Sequence, residues 1–344
     1  MMTAVTERVP LHSIENIRVT IVNGRFAPEL SDSRLSVLGL VIKSITEAKE
    51  THASIFPKSC LKSDTNGLFI YLPAHSHLSQ PIHVLHLMNK TAKHVFPQTL
   101  FMYLDEASSC TVFEEFQTDV VDSDCFEQTV QLHLDKRASV HYYKIYQDKK
   151  TKHTARTRVM QQEASVARFY LFISQANIIS NHLEVSLLGD HAECHTYSAY
   201  TAAHEERIQH DVFIKHLAPH SKSSMLYKGI AQDKAHIQFC GKVCVDEKAK
   251  KTEAYQANHH LLLSLEASAY SKPELEIYAD EVACKHGSTT GQLDEDAIFY
   301  LCARGIAHED AVLLLLAGFM EDVLSQIKNP EIAEYVRTQW QAVV

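Results

Sequence analysis

The chain has 344 residues, long for an ordinary domain but within reach of a single repetitive one. Apolar residues make up 45% and charged residues 22%, which excludes wholesale disorder, and ten glycines with nine prolines exclude collagen-like and linker-rich classes. A net charge of −9 disfavours a sequence-independent grip on nucleic acid or on an anionic membrane. The longest apolar run, AVLLLLAGFM at 311–320, falls well short of the about 20 residues needed to span a bilayer. The first residues, MMTAVTERVPLHS, carry no apolar signal region. Eight cysteines without framework spacing read as reduced thiols, so the expected location is cytoplasmic.

In chain order, residues 1–80 form a mixed N-terminal segment of short strands and helices. IRVTIVNGRFAPEL predicts a hairpin turning at Asn23-Gly24. Two short periodic stretches, Leu35–Ile45 and Leu68–Leu72, follow without a clear assignment. Residues 81–288 show short alternating runs of Val, Ile, Tyr, Phe and Thr with a recurring small residue after a polar turn. Between Ala107, Ala138, Ala164, Ala192, Ser221 and Ala249 the steps are 31, 26, 28, 29 and 28 residues. Such a period predicts stacked units in a mainly β, parallel β-solenoid; an antiparallel sandwich is the competing architecture. Residues 289–344 predict a C-terminal helical domain. Asp294 caps a first helix that stops at Gly305, and a second runs from about His308 to Ile327. Asn329-Pro330 opens a third. In the second helix, Leu313, Leu316, Met320, Leu324 and Ile327 form the stripe expected to seat it on the β body, with Leu314 and Leu315 off that stripe.

Motifs for nucleotide or hydrolytic chemistry are missing. GSTTG at 287–291 has no following Lys and cannot clamp a phosphate, and neither a G-x-S-x-G elbow nor an H-E-x-x-H helix occurs. Cys240 and Cys244 share a strand face but lack a second pair, which favours buried inert thiols. His75, His77, His83 and His86 cluster in a chain of 22 histidines, a number that makes chance clustering the simpler account. Cys284 and His286, two apart, project to one side of an extended segment where the repeat ends. Thiolate and imidazole together suit Fe, Zn or Cu(I), or an activated nucleophile, although spacing alone favours a structural role.

The block from GKVCVDEKAKKTEAYQANHHLLLS through PELEIYADEVACKHGSTTGQLDEDAIFYLCARGI resembles the SufB/SufD family of iron–sulfur cluster assembly scaffolds. The strong match covers about residues 217–306, and APHSKSSMLYKGI and IVNGRFAPELSD resemble its SufD branch. The resemblance implies a right-handed parallel β-helix flanked by helices, acting as a non-catalytic scaffold. Its partners would be a SufB-like paralogue and a SufC-like ATPase in which the ATPase activity resides. It places His286, with Cys284 beside it, at a subunit interface where a transient iron–sulfur cluster is built. It assigns ATPase docking to the C-terminal helices, where Tyr300, Arg304, Leu314 and Leu315 are the candidate contacts. Three departures stand out: an abbreviated N-terminal helical region, HGSTTG in place of HGAT, and Cys302 where a polar or basic residue is expected. Two alternatives remain at this point. One is a β-helix enzyme acting on polysaccharide, which would need carboxylates aligned at the repeat period; Glu114, Lys144, Phe172 and Ala199 do not align as such. The other is a homodimer working without a SufB-like partner.

Overall fold

The computed structural model describes residues 15–32, 39–56, 67–88, 96–118 and 125–341. The readings of the N-terminal signal region and of part of the Leu35–Ile45 stretch lie outside them. The opening hairpin pairs β1 (Ile17–Val22) with β2 (Arg25–Phe26), antiparallel across Asn23 and Gly24. Both turn residues have positive φ, 49° and 78°, the conformation a two-residue hairpin of the primed type requires. Next come β3 (Val41–Ser44) and α1 (Ile45–Thr51), whose N-cap Ser44 forms a capping box with Glu47. The strand β4 (Gly67–Leu72) pairs antiparallel with β3.

From there the strands climb as a solenoid of about seven turns. In order they are β5 (Ile82–Met88), β6 (Phe96–Leu104), β7 (Ser109–Thr118), β8 (Cys125–Leu134), β9 (Ser139–Gln161) and β10 (Val166–Leu187). These lead into β11 (Glu193–Ala202), β12 (Arg207–His216), β13 (Lys222–Ala231), β14 (His236–Val245), β15 (Glu253–Leu262), β16 (Ser268–Ile277) and β17 (Ala283–Gly291). Each strand pairs in parallel with the one a full turn later, so two stacked sheets result. One runs β1, β5, β7, β9, β10, β11, β13, β15, β17; the other runs β4, β6, β8, β9, β10, β12, β14, β16. The long β9 and β10 pass through a corner and serve both sheets. This parallel ladder excludes the antiparallel sandwich.

The repeat is built at the corners. Ala107, Arg137, Ala164, His191, His220, Lys251 and Glu281 occupy one corner column in the left-handed region, with φ between 55° and 60°. The next residue points inward and must be small: Ser108, Ala138, Ser165, Ala192, Ser221 and Thr252 are fully buried. The small-residue ruler in the sequence therefore mixed three positions. Ala107 and Ala164 are corners, Ala138, Ala192 and Ser221 are the buried residues after corners, and Ala249 lies two residues before its corner, Lys251. Because side chains alternate, a one-residue slip moves a position to the opposite face. Glu114 and Lys144 are true inward neighbours, but Phe172 and Ala199 face outward beneath the helices.

Between the sheets lies one core, chiefly of Ile, Val, Leu, Phe and Tyr, that runs from β1 to β14. The outer face of the first sheet is apolar too. Phe113, Tyr143, Ile145, Tyr170, Phe172 and Ile230 pack under α3 (His308–Leu324) and α4 (Pro330–Gln341), the helices that follow α2 (Glu295–Ala303). The Tyr170 hydroxyl donates to the Gln326 carbonyl at 3.0 Å, and Lys228 Nζ donates to the Phe319 carbonyl at 2.8 Å and pairs with Asp322. Asp294 accepts from the Asp296 and Ala297 amides, Gly305 at φ 89° ends α2, and Asn329 caps α4, as the sequence predicts.

Candidate functional site

Among the described residues nothing covers the last rung of the solenoid. Among the described residues β16 pairs with β14 and β17 with β15, and neither has a further rung beyond it. Edge amides and carbonyls of this kind are a template for another chain. In β17 all residues but Cys284 are exposed, and Tyr270, Ile277 and Tyr278 of the same rung are exposed large side chains.

Cys284 and His286 sit on this edge strand, in register with Ala254 and Gln256 of β15. Their alternation puts both on the inward side, as the spacing predicts. Cys284 is half-buried against the end of the core, and burial raises its thiol pKa, partly offset by the Ala254 backbone. His286 is exposed. Alternate strand positions are about 7 Å apart, so the pair offers two donors on one row. Among the described residues no group of three His, Cys, Asp or Glu could hold a metal ion.

Behind the row, hydrogen bonds tie the open rung to the interior. Ser288 donates to Ser271 at 2.7 Å, Ser271 to Asn258 Oδ1 at 2.7 Å, and Asn258 Nδ2 lies 3.4 Å from His260 Nε2. That nitrogen meets the Tyr200 hydroxyl at 2.7 Å across an intervening rung. The intervening residue is Gly229, where a Cβ would stand 2.3 Å from the Tyr200 ring and 2.9 Å from His260. Only glycine leaves room for the contact.

Deeper still, Glu114 is fully buried and accepts from His86 at 2.6 Å, from Tyr142 at 2.6 Å and from Gln128, with Lys144 Nζ at 3.4 Å. Burial pushes its pKa up, but Lys144, His86 and Tyr142 outweigh that and hold it down at about 2. Sequence reading missed this hub. The available signal was a Glu-Glu pair inside an aromatic strand, FEEF, where one of the two must point inward.

The other sequence candidates separate. His83 bonds Glu115 and His86 bonds Glu114, on opposite faces of β5, while His77 bonds Ser109; they form no common site. Cys240 and Cys244 are half-exposed on the outer face of β14, so the expectation of buried thiols is corrected. The row aligned with Glu114 reads Lys144, Leu171, Ser198, Tyr227 and Asn258, which gives no column of carboxylates for hydrolysis.

At the C-terminal helices, Phe299, Tyr300, Leu313 and Leu314 are exposed, and the Arg304 guanidinium stacks on the Tyr300 ring at 4.8 Å. Two assignments change. Leu313 is exposed and leaves the seating stripe, which is completed by Ala311 and Val323 instead; Leu315 is half-buried.

The family model for the SUF system FeS cluster assembly SufBD core domain matches residues 86–319, a span that takes in every rung from β7 to β17 as well as α2 and most of α3. The chain belongs to the SufB/SufD family. It is 27% identical to the Synechocystis iron–sulfur cluster assembly SufBD family protein slr0076, over 94% of this chain and 77% of that one. It is 24% identical to the Escherichia coli iron–sulfur cluster assembly protein SufD, over 94% of this chain and 78% of the relative. The chloroplastic protein ABCI7 of Arabidopsis thaliana is 26% identical over 78% of this chain and 59% of its own. A role in iron–sulfur cluster assembly follows from this membership. Among the described residues no helix is long and apolar enough to cross a membrane.

Proposed function

We propose that the chain is a non-catalytic scaffold subunit whose open last rung pairs with a SufB-like paralogue, the two together enclosing the place where a cluster is built. The observation that carries this reading is the incomplete donor row, Cys284 and His286, on an unpaired strand edge. Two donors cannot hold a cluster that needs four, as Fe–S clusters held by thiolates do. A second chain added along the edge would bring the rest and satisfy the free backbone groups in the same step. The cluster is cargo, leaving once assembled.

A SufC-like ATPase docks on the second exposed feature, the patch of Phe299, Tyr300, Leu313 and Leu314 with Arg304 and Leu315 at its rim. Exposed apolar clusters often mark partner surfaces. The seven thiols of the described residues are free, in keeping with action in the reducing cytoplasm.

The test is amide hydrogen exchange of the chain alone and after mixing with a SufB-like paralogue. Protection is expected in β16 and β17, with the outer faces of middle rungs unchanged. Exchange in β17 that is indifferent to the paralogue overturns the reading.

A further inference from the structure

One rung below the open end, the side chain of Gln256 is buried, with a relative exposure of 3%. It crosses the space between the sheets and donates from Nε2 to the Gly241 carbonyl at 3.2 Å. A Cβ at Gly241 would collide with that nitrogen, so the glycine is what admits the amide. Because a carbonyl can only accept, this bond also fixes which way the amide faces. Its other end, Oε1, is a buried acceptor with no partner in the protein. Leaving such an acceptor unmet is costly, and folded chains normally supply a donor.

The neighbours narrow the choice of donor. Ser288 gives its hydroxyl hydrogen to Ser271, and Ser271 gives its own to Asn258. Asn258 Nδ2 is taken up by the Tyr227 carbonyl and His260. Met225, in register below Gln256, has no hydrogen to donate, and Pro273, in register above Gly241, has no N–H. Cys284 stands over Ala254 rather than over Gln256, and a thiol is a weak donor. The residue directly above Gln256 is His286. Paired strands are about 4.8 Å apart, a gap that a glutamine amide and an imidazole bridge easily.

We propose that Gln256 is a positioning residue for His286: its Oε1 accepts the N–H of one ring nitrogen and so fixes the ring and its tautomer. The bond forms by rotation of the exposed imidazole about its side-chain torsions. The two ring nitrogens point roughly opposite ways. With one tied to the rung below, the other is left as a bare lone pair facing out of the open end. Histidines that ligate metal are held in this way, through an N–H given to a carbonyl or carboxylate. The role in positioning rests on the open rung being the assembly site; the bond itself does not.

The first measurement is the tautomer ratio of His286, from nitrogen NMR of the isolated, histidine-labelled chain at a pH where the ring is neutral. His286→Ala assigns the signal. An accepted N–H should move the ratio about five- to tenfold from that of an unstructured histidine peptide. Gln256→Met keeps the bulk without the acceptor and should return the ratio to the peptide value. Gln256→Glu keeps an acceptor and should hold the shift. Were the amide only a brace for Gly241, the two variants would behave alike. A peptide-like ratio in the wild-type chain overturns the pairing, whether or not the variants fold. The second measurement is cluster formation in the reconstituted complex, which should fall about tenfold or more in Gln256→Met and persist in Gln256→Glu. A tautomer shift that Gln256→Met abolishes without slowing cluster formation overturns the positioning role. If His286→Ala is equally without effect, the failure belongs to the open-rung reading and not to the bond.

Discussion

The middle rungs and the last rung follow one local grammar and reach opposite outcomes. In β14 every second residue is buried: Ile237, Phe239, Gly241, Val243 and Val245 fill the space between the sheets. In β17 the corresponding inward row is Cys284, His286, Ser288 and Thr290, and only Cys284 is even half-buried. Strand length, pleat and parallel register are shared, so what differs is the presence of a neighbour above. A repeat protein is stabilised by the interface each unit makes with the next, and the final unit is left with an unpaired edge. Here that edge carries Cys284, His286, Ser288 and Thr290 over a buried row of Ala254, Gln256, Asn258 and His260. The middle rungs are covered on both sides, and among the described residues the last is covered on one.

Substitutions can break this contrast, beginning with the largest effect. Glu114→Ala should cost about 3–5 kcal/mol in urea unfolding, since it strands Lys144 as an uncompensated buried cation. A loss below about 1 kcal/mol would mean the hub is reached by water. Acid sensitivity should likewise come from inside. Burial lowers the pKa of His210 to about 3 and those of His216 and His260 to about 4. In the unfolded chain each takes up a proton near pH 6.5, while the folded state resists it. Stability is therefore complete above about pH 6.5 and falls as pH drops toward about 4, by up to about 1.4 kcal/mol per unit for each histidine. Unfolding at pH 7 and pH 5 checks this, and His260→Gln should reduce the slope.

The glycines sharpen the comparison further. Gly229→Ala forces a Cβ to within 2.3 Å of the Tyr200 ring and should cost about 1–3 kcal/mol. Gly287→Ala on the last rung meets nothing within 4 Å and should stay within about 0.5 kcal/mol of wild type. Equal effects at the two sites would show that the rungs are not differently packed. The smallest effect on stability is expected at the helical patch. Leu313→Ser with Leu314→Ser should barely move the melting temperature yet sharply weaken capture of a SufC-like ATPase; a large loss of stability would make these leucines core.

Some of this was legible in the sequence. Asn23-Gly24 announced its hairpin because few residue pairs accept two positive φ values. The caps at Asp294, Gly305 and Asn329 follow from local hydrogen bonding. The solenoid showed through its period, but its register did not. Alanine suits both the left-handed corner and the buried position after it, so Ala107 and Ala138 looked equivalent while standing one place apart. Leu313 was misplaced because a four-leucine run offers several stripes at helical spacing, and only the aromatic sheet surface under α3 selects among them. The Glu114–Lys144 pair was hidden because its members lie a full turn apart in sequence. At the open rung, the C-x-H spacing gave the shared face, whereas the missing neighbour is a property of the whole stack.

The account turns on His286. Purified complexes with a SufB-like paralogue and a SufC-like ATPase should be reconstituted anaerobically with iron and sulfide, and cluster formation followed by absorbance and Mössbauer spectroscopy. His286→Ala is predicted to assemble into the complex with unchanged stoichiometry and to build little or no cluster. Full cluster formation in that variant would contradict the assignment of the open rung as the assembly site.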